Sequence, residues 1–177
     1  MAGKKIRRLV TGHDPNGKSI FLTDGEATTV LVMEKMGKLT VTDLWETFDA
    51  PADNRGTKDN ADRLVHLEPA PRGTIFRVVE FPPDALWKTG ADGAAAFAEL
   101  QASHAADGGS SDPGMHKTAT VDYALVLDGE IWAVMDTGER LMRAGDVLIQ
   151  RGTNHAWANR TDKNCRVMFV LCGAQPV

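Results

Sequence analysis

The chain has 177 residues, 42% of them apolar and 25% charged, with a net charge of −4. That length supports one domain with a real core, and without a basic excess nucleic-acid binding has no electrostatic footprint. The basic start Lys4-Lys5-Ile6-Arg7-Arg8 runs into Leu9-Val10-Thr11-Gly12 rather than an apolar leader, and no apolar run approaches membrane-spanning length, so a cytoplasmic protein with no membrane partner is expected.

Residues 6–11 and 18–23 are expected as short strands. The link between them, Gly12-His13-Asp14-Pro15-Asn16-Gly17, is dense in turn residues. Gly12-x-x-x-x-Gly17-Lys18-Ser19 also fits the phosphate-loop pattern letter by letter. That chemistry needs a helix starting at the Lys-Ser pair. The next four residues, Ile20-Phe21-Leu22-Thr23, are rich in β-branched and aromatic side chains and lead into a turn. A hairpin is therefore expected, and nucleotide binding is not.

Residues 29–34 and 38–45 read as strands around Met36-Gly37. Residues 49–62 are polar and turn-rich, a surface loop expected to cover a binding mouth. Residues 63–68 and 74–81 look extended. A helix is expected over 92–104 with Asp92 as its N-cap, followed by a glycine-rich flexible linker to residue 114. From His116 onward short strands alternate with turns at Asp128-Gly129, Asp136-Thr137-Gly138, Ala144-Gly145-Asp146, Arg151–Asn154 and Asn159–Asn164. This spacing predicts an antiparallel sandwich or barrel. The last strand, Cys165–Cys172, is almost wholly apolar and is expected to be buried on both faces. Its two cysteines would lie roughly 23 Å apart in an extended strand, too far to pair with each other.

Chemistry concentrates at the ends of the stretch 116–159. Residues two apart in a strand share a face, so His116, Thr118 and Asp122 point together if their strand is regular. His155 shares a face with Trp157 and Asn159. Two imidazoles and a carboxylate converging from separate strands suit a divalent ion with open coordination positions. Arg77, in an apolar strand, has two readings: a partner for a substrate carboxylate, or a structural pair with Glu80 or another acid.

These residues resemble the two motifs of the cupin superfamily. The first runs His-x-His, three or four residues, Glu, six residues, Gly. The chain offers His116-Lys117-Thr118, then Asp122 and Gly129. The second runs Gly-Asp, a short run, Pro-x-Gly, two residues, His, three residues, Asn. It is matched by Gly145-Asp146, Gln150-Arg151-Gly152, His155 and Asn159. The match covers roughly residues 110–172 and departs from the pattern at Thr118, which replaces a histidine ligand, at Asp122, which replaces glutamate, and at Gln150, which replaces proline.

The resemblance implies an all-β fold, a double-stranded β-barrel of the jelly-roll type, with extra N-terminal strands and one short helix. Residues 1–84 would form a β-rich extension packed on the barrel, 85–114 the helix and linker, and 115–177 the motif-bearing core, in one folded unit. It also implies a small-molecule enzyme with a Zn, Fe or Mn ion held by His116, Asp122 and His155. Such an ion would assist lyase, hydratase, isomerase or oxygenase chemistry on an oxygen-bearing substrate, with Thr118, Trp157, Arg77 and Asn159 contacting that substrate. Two alternatives stand beside it: metal-free acid/base chemistry by the same residues, and a non-catalytic binding barrel. Exposed edge strands make a homodimer the expected assembly.

Overall fold

The alternating apolar pattern of the chain resolves into eleven strands and one α-helix in the computed structural model, which describes residues 3–177. The strands are β1 (Arg7–His13), β2 (Ser19–Glu26), β3 (Val30–Met33), β4 (Leu39–Thr47), β5 (Thr74–Phe81), β6 (Thr120–Asp128), β7 (Glu130–Met135), β8 (Glu139–Arg143), β9 (Val147–Arg151), β10 (His155–Ala158) and β11 (Cys165–Gly173). The helix α1 spans Gly93–Glu99. A six-stranded sheet has the order β3-β4-β5-β11-β6-β9, and a three-stranded sheet the order β10-β7-β8. Every pairing between strands is antiparallel. The fold is the all-β barrel of cupin type that the motifs imply.

The two sheets pack face to face around one core. Trp157 of β10 meets Phe169 of β11 edge-on at 5.3 Å between ring centroids, and Phe81 of β5 at 6.1 Å. These offset and edge-on geometries are the favoured ones for aromatic pairs. The N-terminal half supplies β3, β4 and β5 to the large sheet, joined to the motif-bearing half through the β5–β11 ladder. Ahead of β1, the Lys4 amide reaches the Glu80 carboxylate, and Arg8 ties the β1–β2 hairpin to the Leu44 carbonyl and to Asp59.

The Gly12–Ser19 run is a hairpin turn. Asp14 accepts backbone N–H bonds from Asn16 and Lys18, and β2 begins at Ser19 where a phosphate loop needs its helix.

Several local expectations are corrected. The helix ends at Glu99 rather than residue 104. Asp92 caps it through the Ala95 amide, but Gln101 turns left-handed with φ of 56°, and a short 3₁₀ turn follows at Ser103–Ala105. That reversal lets Leu100 and Ala102 both enter the core. Residues 63–68 keep the alternation of a strand, with Val65 and Leu67 buried and Leu64 exposed, yet they join no sheet. The Leu67 amide bonds instead to the Leu100 carbonyl at the end of the helical segment. The linker 105–114 is folded into turns, with Asp107 accepting from Gly109 and Asp112 from Gly114.

Strand β11 is fully buried only on its Cys165, Val167, Phe169 and Leu171 face; Arg166, Met168, Val170 and Cys172 are half-buried. Both cysteines are free. Loop 49–62 does not roof the inner cavity. It lines a separate cleft of about 720 Å³ with the hairpin tip, including His13, Trp45 and Phe48. Among the described residues no helix is long and apolar enough to cross a membrane.

Candidate active site

His116 lies ahead of β6, not inside it, and is placed by two isolated antiparallel bridges, one to Ala106 and one to His155. Its amide donates to the His155 carbonyl, and the His155 amide donates to the His116 carbonyl, both at 2.9 Å. Residues that exchange both bonds lie directly opposite and project to one face. The two imidazoles accordingly sit side by side, 4.2 Å between centroids. Phe97 of α1 closes on His116 at 4.7 Å, and Trp157 stands edge-on to His155 at 6.1 Å.

Backbone carbonyls set the tautomer of both rings. His116 Nδ1 lies 2.9 Å from the Gly114 carbonyl, and His155 Nδ1 lies 2.9 Å from the Thr153 carbonyl. A carbonyl can only accept, so in each neutral ring Nδ1–H donates and Nε2 keeps its lone pair. Burial lowers the pKa of both residues. For His155 burial and then the adjoining His116 bring it down to about 3. For His116 burial outweighs the Gly114 and His155 backbone contacts that act to raise it. Both rings are therefore uncharged at neutral pH.

These rings border an inner cavity of about 100 Å³ whose other walls are Met33, Met36, Leu39, Val41, Leu67, Val79, Phe81, Trp87, Phe97, Leu100, Trp157, Phe169 and Leu171, with Asp122 and Arg77 as its ionisable acid and base. Asp122 comes from β6 and is 5% exposed, and its Oδ1 has no hydrogen-bond partner among the described residues. A buried unpaired acceptor costs about 1–3 kcal/mol. Burial raises its pKa to about 6, with Thr120 and the Arg77 charge pulling it partway back. The carboxyl thus exchanges its proton near neutral pH.

Arg77 resolves to the structural reading, with a partner that its own strand does not contain. In the β4–β5 register Asp43 stands opposite Arg77. Arg77 Nη2 donates to Asp43 Oδ2 at 3.1 Å, and Nε lies 2.9 Å from Oδ1 as an ion-pair contact without hydrogen-bond alignment. It also donates to the His66 and Leu67 carbonyls. Arg63 joins from the neighbouring segment, pairing with Asp43 at 2.9 Å and with Glu46. Two acids and two guanidiniums leave this buried cluster neutral, as a low-dielectric interior requires.

The other sequence candidates divide. Trp157 lines the cavity as expected, but Thr118 and Asn159 do not. The Thr118 hydroxyl bonds to that of Thr120 at 2.7 Å. Asn159 donates to the Phe81 and Lys163 carbonyls and accepts from Thr161, which spends its amide on tying the β10–β11 turn to β5. Of the three expected metal ligands, all border one cavity, but the described residues contain no group of three His, Cys, Asp or Glu gathered to hold one ion. The histidines are adjacent and Asp122 stands apart from them. Trp87, which lies outside both motifs, also forms part of the cavity wall.

A family profile described as a Cupin domain matches residues 103–171. The Oryzines biosynthesis cluster protein J of Aspergillus oryzae is 43% identical over 98% of this chain and 86% of its own length. The Phomopsin biosynthesis cluster protein C' of Diaporthe leptostromiformis is 32% identical over 96% of this chain and 79% of its own. The Cupin-domain-containing oxidoreductase fogC of Aspergillus ruber is 28% identical over 98% and 75%.

Proposed function

The chain belongs to the cupin superfamily, and from that premise we propose that it is a small-molecule enzyme using its buried imidazole pair for acid/base chemistry in an apolar cavity. The observation that supports this most is the fixed tautomer of both rings: each Nδ1 is held by a carbonyl, so each Nε2 keeps its lone pair free at neutral pH. A base of this kind takes a proton from a carbon or oxygen of the substrate. Asp122, titrating near 6, is matched to giving or taking the compensating proton. The apolar walls exclude water and strengthen each electrostatic contact. This chemistry belongs to lyases, dehydratases and isomerases acting beside a carbonyl or hydroxyl. The relatives named for biosynthesis clusters, and the one named an oxidoreductase, support a small-molecule substrate.

One observation favours a second reading. Two adjacent Nε2 lone pairs are also donors for Zn, Fe or Mn, and a bound ion would supply Lewis-acid polarisation of a substrate oxygen. The present donor set does not fit such an ion fully, because Asp122 does not join the pair.

Proton exchange separates the two. Protein treated with a chelator is incubated in D₂O with 4′-hydroxyacetophenone, and loss of the methyl protons is followed by NMR. Exchange above the buffer rate that survives chelation and disappears in His155→Ala supports the acid/base reading. Exchange that stops on chelation and returns with a divalent ion supports the metal reading. No exchange in either state sinks both.

We also propose a homodimer. The large sheet ends in the edge strands β3 and β9, and Tyr123, Val147 and Ile149 are exposed beside the second edge. A monomer in sedimentation at micromolar concentration would refute this.

A further inference from the structure

Apart from Arg77 Nε, which lies 2.9 Å from Asp43 Oδ1 as an ion-pair contact, the residues lining the cavity carry two buried hydrogen-bonding atoms of opposite sense without a partner among the described residues: the indole Nε1–H of Trp87, a donor, and Oδ1 of Asp122, an acceptor. Folded proteins leave few such atoms. Two in the walls of one apolar cavity point to a ligand that pairs with them.

The remaining polar groups sharpen what that ligand must carry. Both histidines present only acceptors, since their Nδ1 protons are engaged by the Gly114 and Thr153 carbonyls. Arg77 directs its guanidinium at Asp43 and at the His66 and Leu67 carbonyls. Trp87 is thus the neutral donor available to a ligand acceptor.

Its ring is held for that purpose. Gly37 has φ of 61°, and a Cβ there would stand 3.2 Å from Trp87 Cβ and Cδ1. At the other end, a Cβ on Gly114 would lie 3.9 Å from Trp87 Cη2. The ring therefore bridges from the Met36 turn to the segment that carries His116. The next residue, Lys88, is anchored to Asp84 at 3.2 Å and to Asp112 at 2.8 Å, which pins the backbone beneath the ring.

We propose that Trp87 is a specificity-determining residue whose indole N–H binds the carbonyl oxygen of a compact, otherwise apolar hydroxy-carbonyl compound, while the ligand hydroxyl donates to Asp122. The inference rests on the reading of this cavity as the substrate site, and it is independent of how the histidines then act.

Three probes test it by deleting one group at a time: 4′-hydroxyacetophenone, acetophenone without the hydroxyl, and 4-ethylphenol without the carbonyl. Calorimetric titration gives affinity, and the indole N–H resonances of the four tryptophans report contact. The wild-type protein is expected to bind the hydroxy-ketone about tenfold more tightly than either analogue, the loss expected for one hydrogen bond. One indole N–H should shift with the two ketones and not with 4-ethylphenol. Trp87→Phe should lose about tenfold for both ketones and nothing for 4-ethylphenol. Equal wild-type affinity for all three probes, no binding of any, or an unmoved set of indole resonances would overturn the proposal without recourse to the variant. A uniform loss in Trp87→Phe would overturn it too. Probe binding with this discrimination but no deuterium exchange would sink the proton-exchange readings and leave the Trp87 proposal standing. Exchange without discrimination would sink the Trp87 proposal alone.

Discussion

Acidification tests the site through stability, because its groups pull in opposite directions. His155 binds its proton less readily folded, at about 3, than at its ordinary 6.5. Between those values the unfolded chain holds more protons, so stability falls as pH drops through that window. Asp122 behaves the other way: its folded pKa, about 6, exceeds the ordinary 3.8. The folded state holds the extra proton between those values, so stability rises as pH drops from 6 toward 4. At ~1.4 kcal/mol per pH unit, moving from pH 7.5 to pH 5 removes about 2 kcal/mol through His155 and returns about 1.4 kcal/mol through Asp122. His116, also lowered by burial, adds to the loss. The wild type should therefore lose modestly more than about 0.6 kcal/mol. Asp122→Asn abolishes the return and should lose about 2 kcal/mol or more over the same interval. His155→Gln should lose less than the wild type or gain. Urea denaturation of the three proteins at both pH values measures this. Parallel pH profiles for all three would refute the assignment of these groups as buried and perturbed.

The framework around the site gives further tests. Phe169→Ala removes the ring against which Trp157 and Phe81 pack and should cost about 3–5 kcal/mol in chemical denaturation; a loss under about 1 kcal/mol would contradict the packing. Asp43→Ala strands Arg77 and Arg63 without their shared acid and should cost about 3–5 kcal/mol, much of it recovered when Arg77→Met is added; a double variant no better than the single would show that the pair does not act as a unit. Asn159→Ala should cost about 1–3 kcal/mol and leave probe affinity unchanged, because its amide serves the Phe81 and Lys163 carbonyls and not the cavity; weakened probe binding in a folded variant would count against that placement.

What the sequence disclosed depended on how local each signal was. The hairpin over Gly12–Ser19 was legible because Ile20-Phe21-Leu22-Thr23 forbids the helix a phosphate loop needs. The barrel and the placement of His116, His155 and Asp122 around one cavity were legible from strand alternation joined to motif spacing. Motif spacing did not reveal that Asn159 would be consumed by a turn, nor that Thr118 would pair with Thr120, because both depend on where side chains turn after the strands are placed. Arg77 had a visible need for an acid, but its partner is 34 residues away and is chosen by the β4–β5 register. The same holds for Trp87, whose place in the cavity wall depends on the room left by Gly37, a position that pattern reading treats as a turn. Residues 63–68 carried a true alternation without a sheet partner, since alternation records burial and not ladder pairing.

The most direct measurement of the central claim is the protonation state of the two rings. Long-range ¹H–¹⁵N NMR of the histidine side chains distinguishes the imidazolium and both neutral tautomers. At pH 6, where an ordinary histidine is mostly charged, His155 should appear neutral with the proton on Nδ1, and His116 should be less charged than an ordinary histidine, its neutral form carrying the proton on Nδ1. An imidazolium pattern at His155, or a proton on Nε2 of either neutral ring, would contradict the reading of this pair as a neutral base in an apolar cavity.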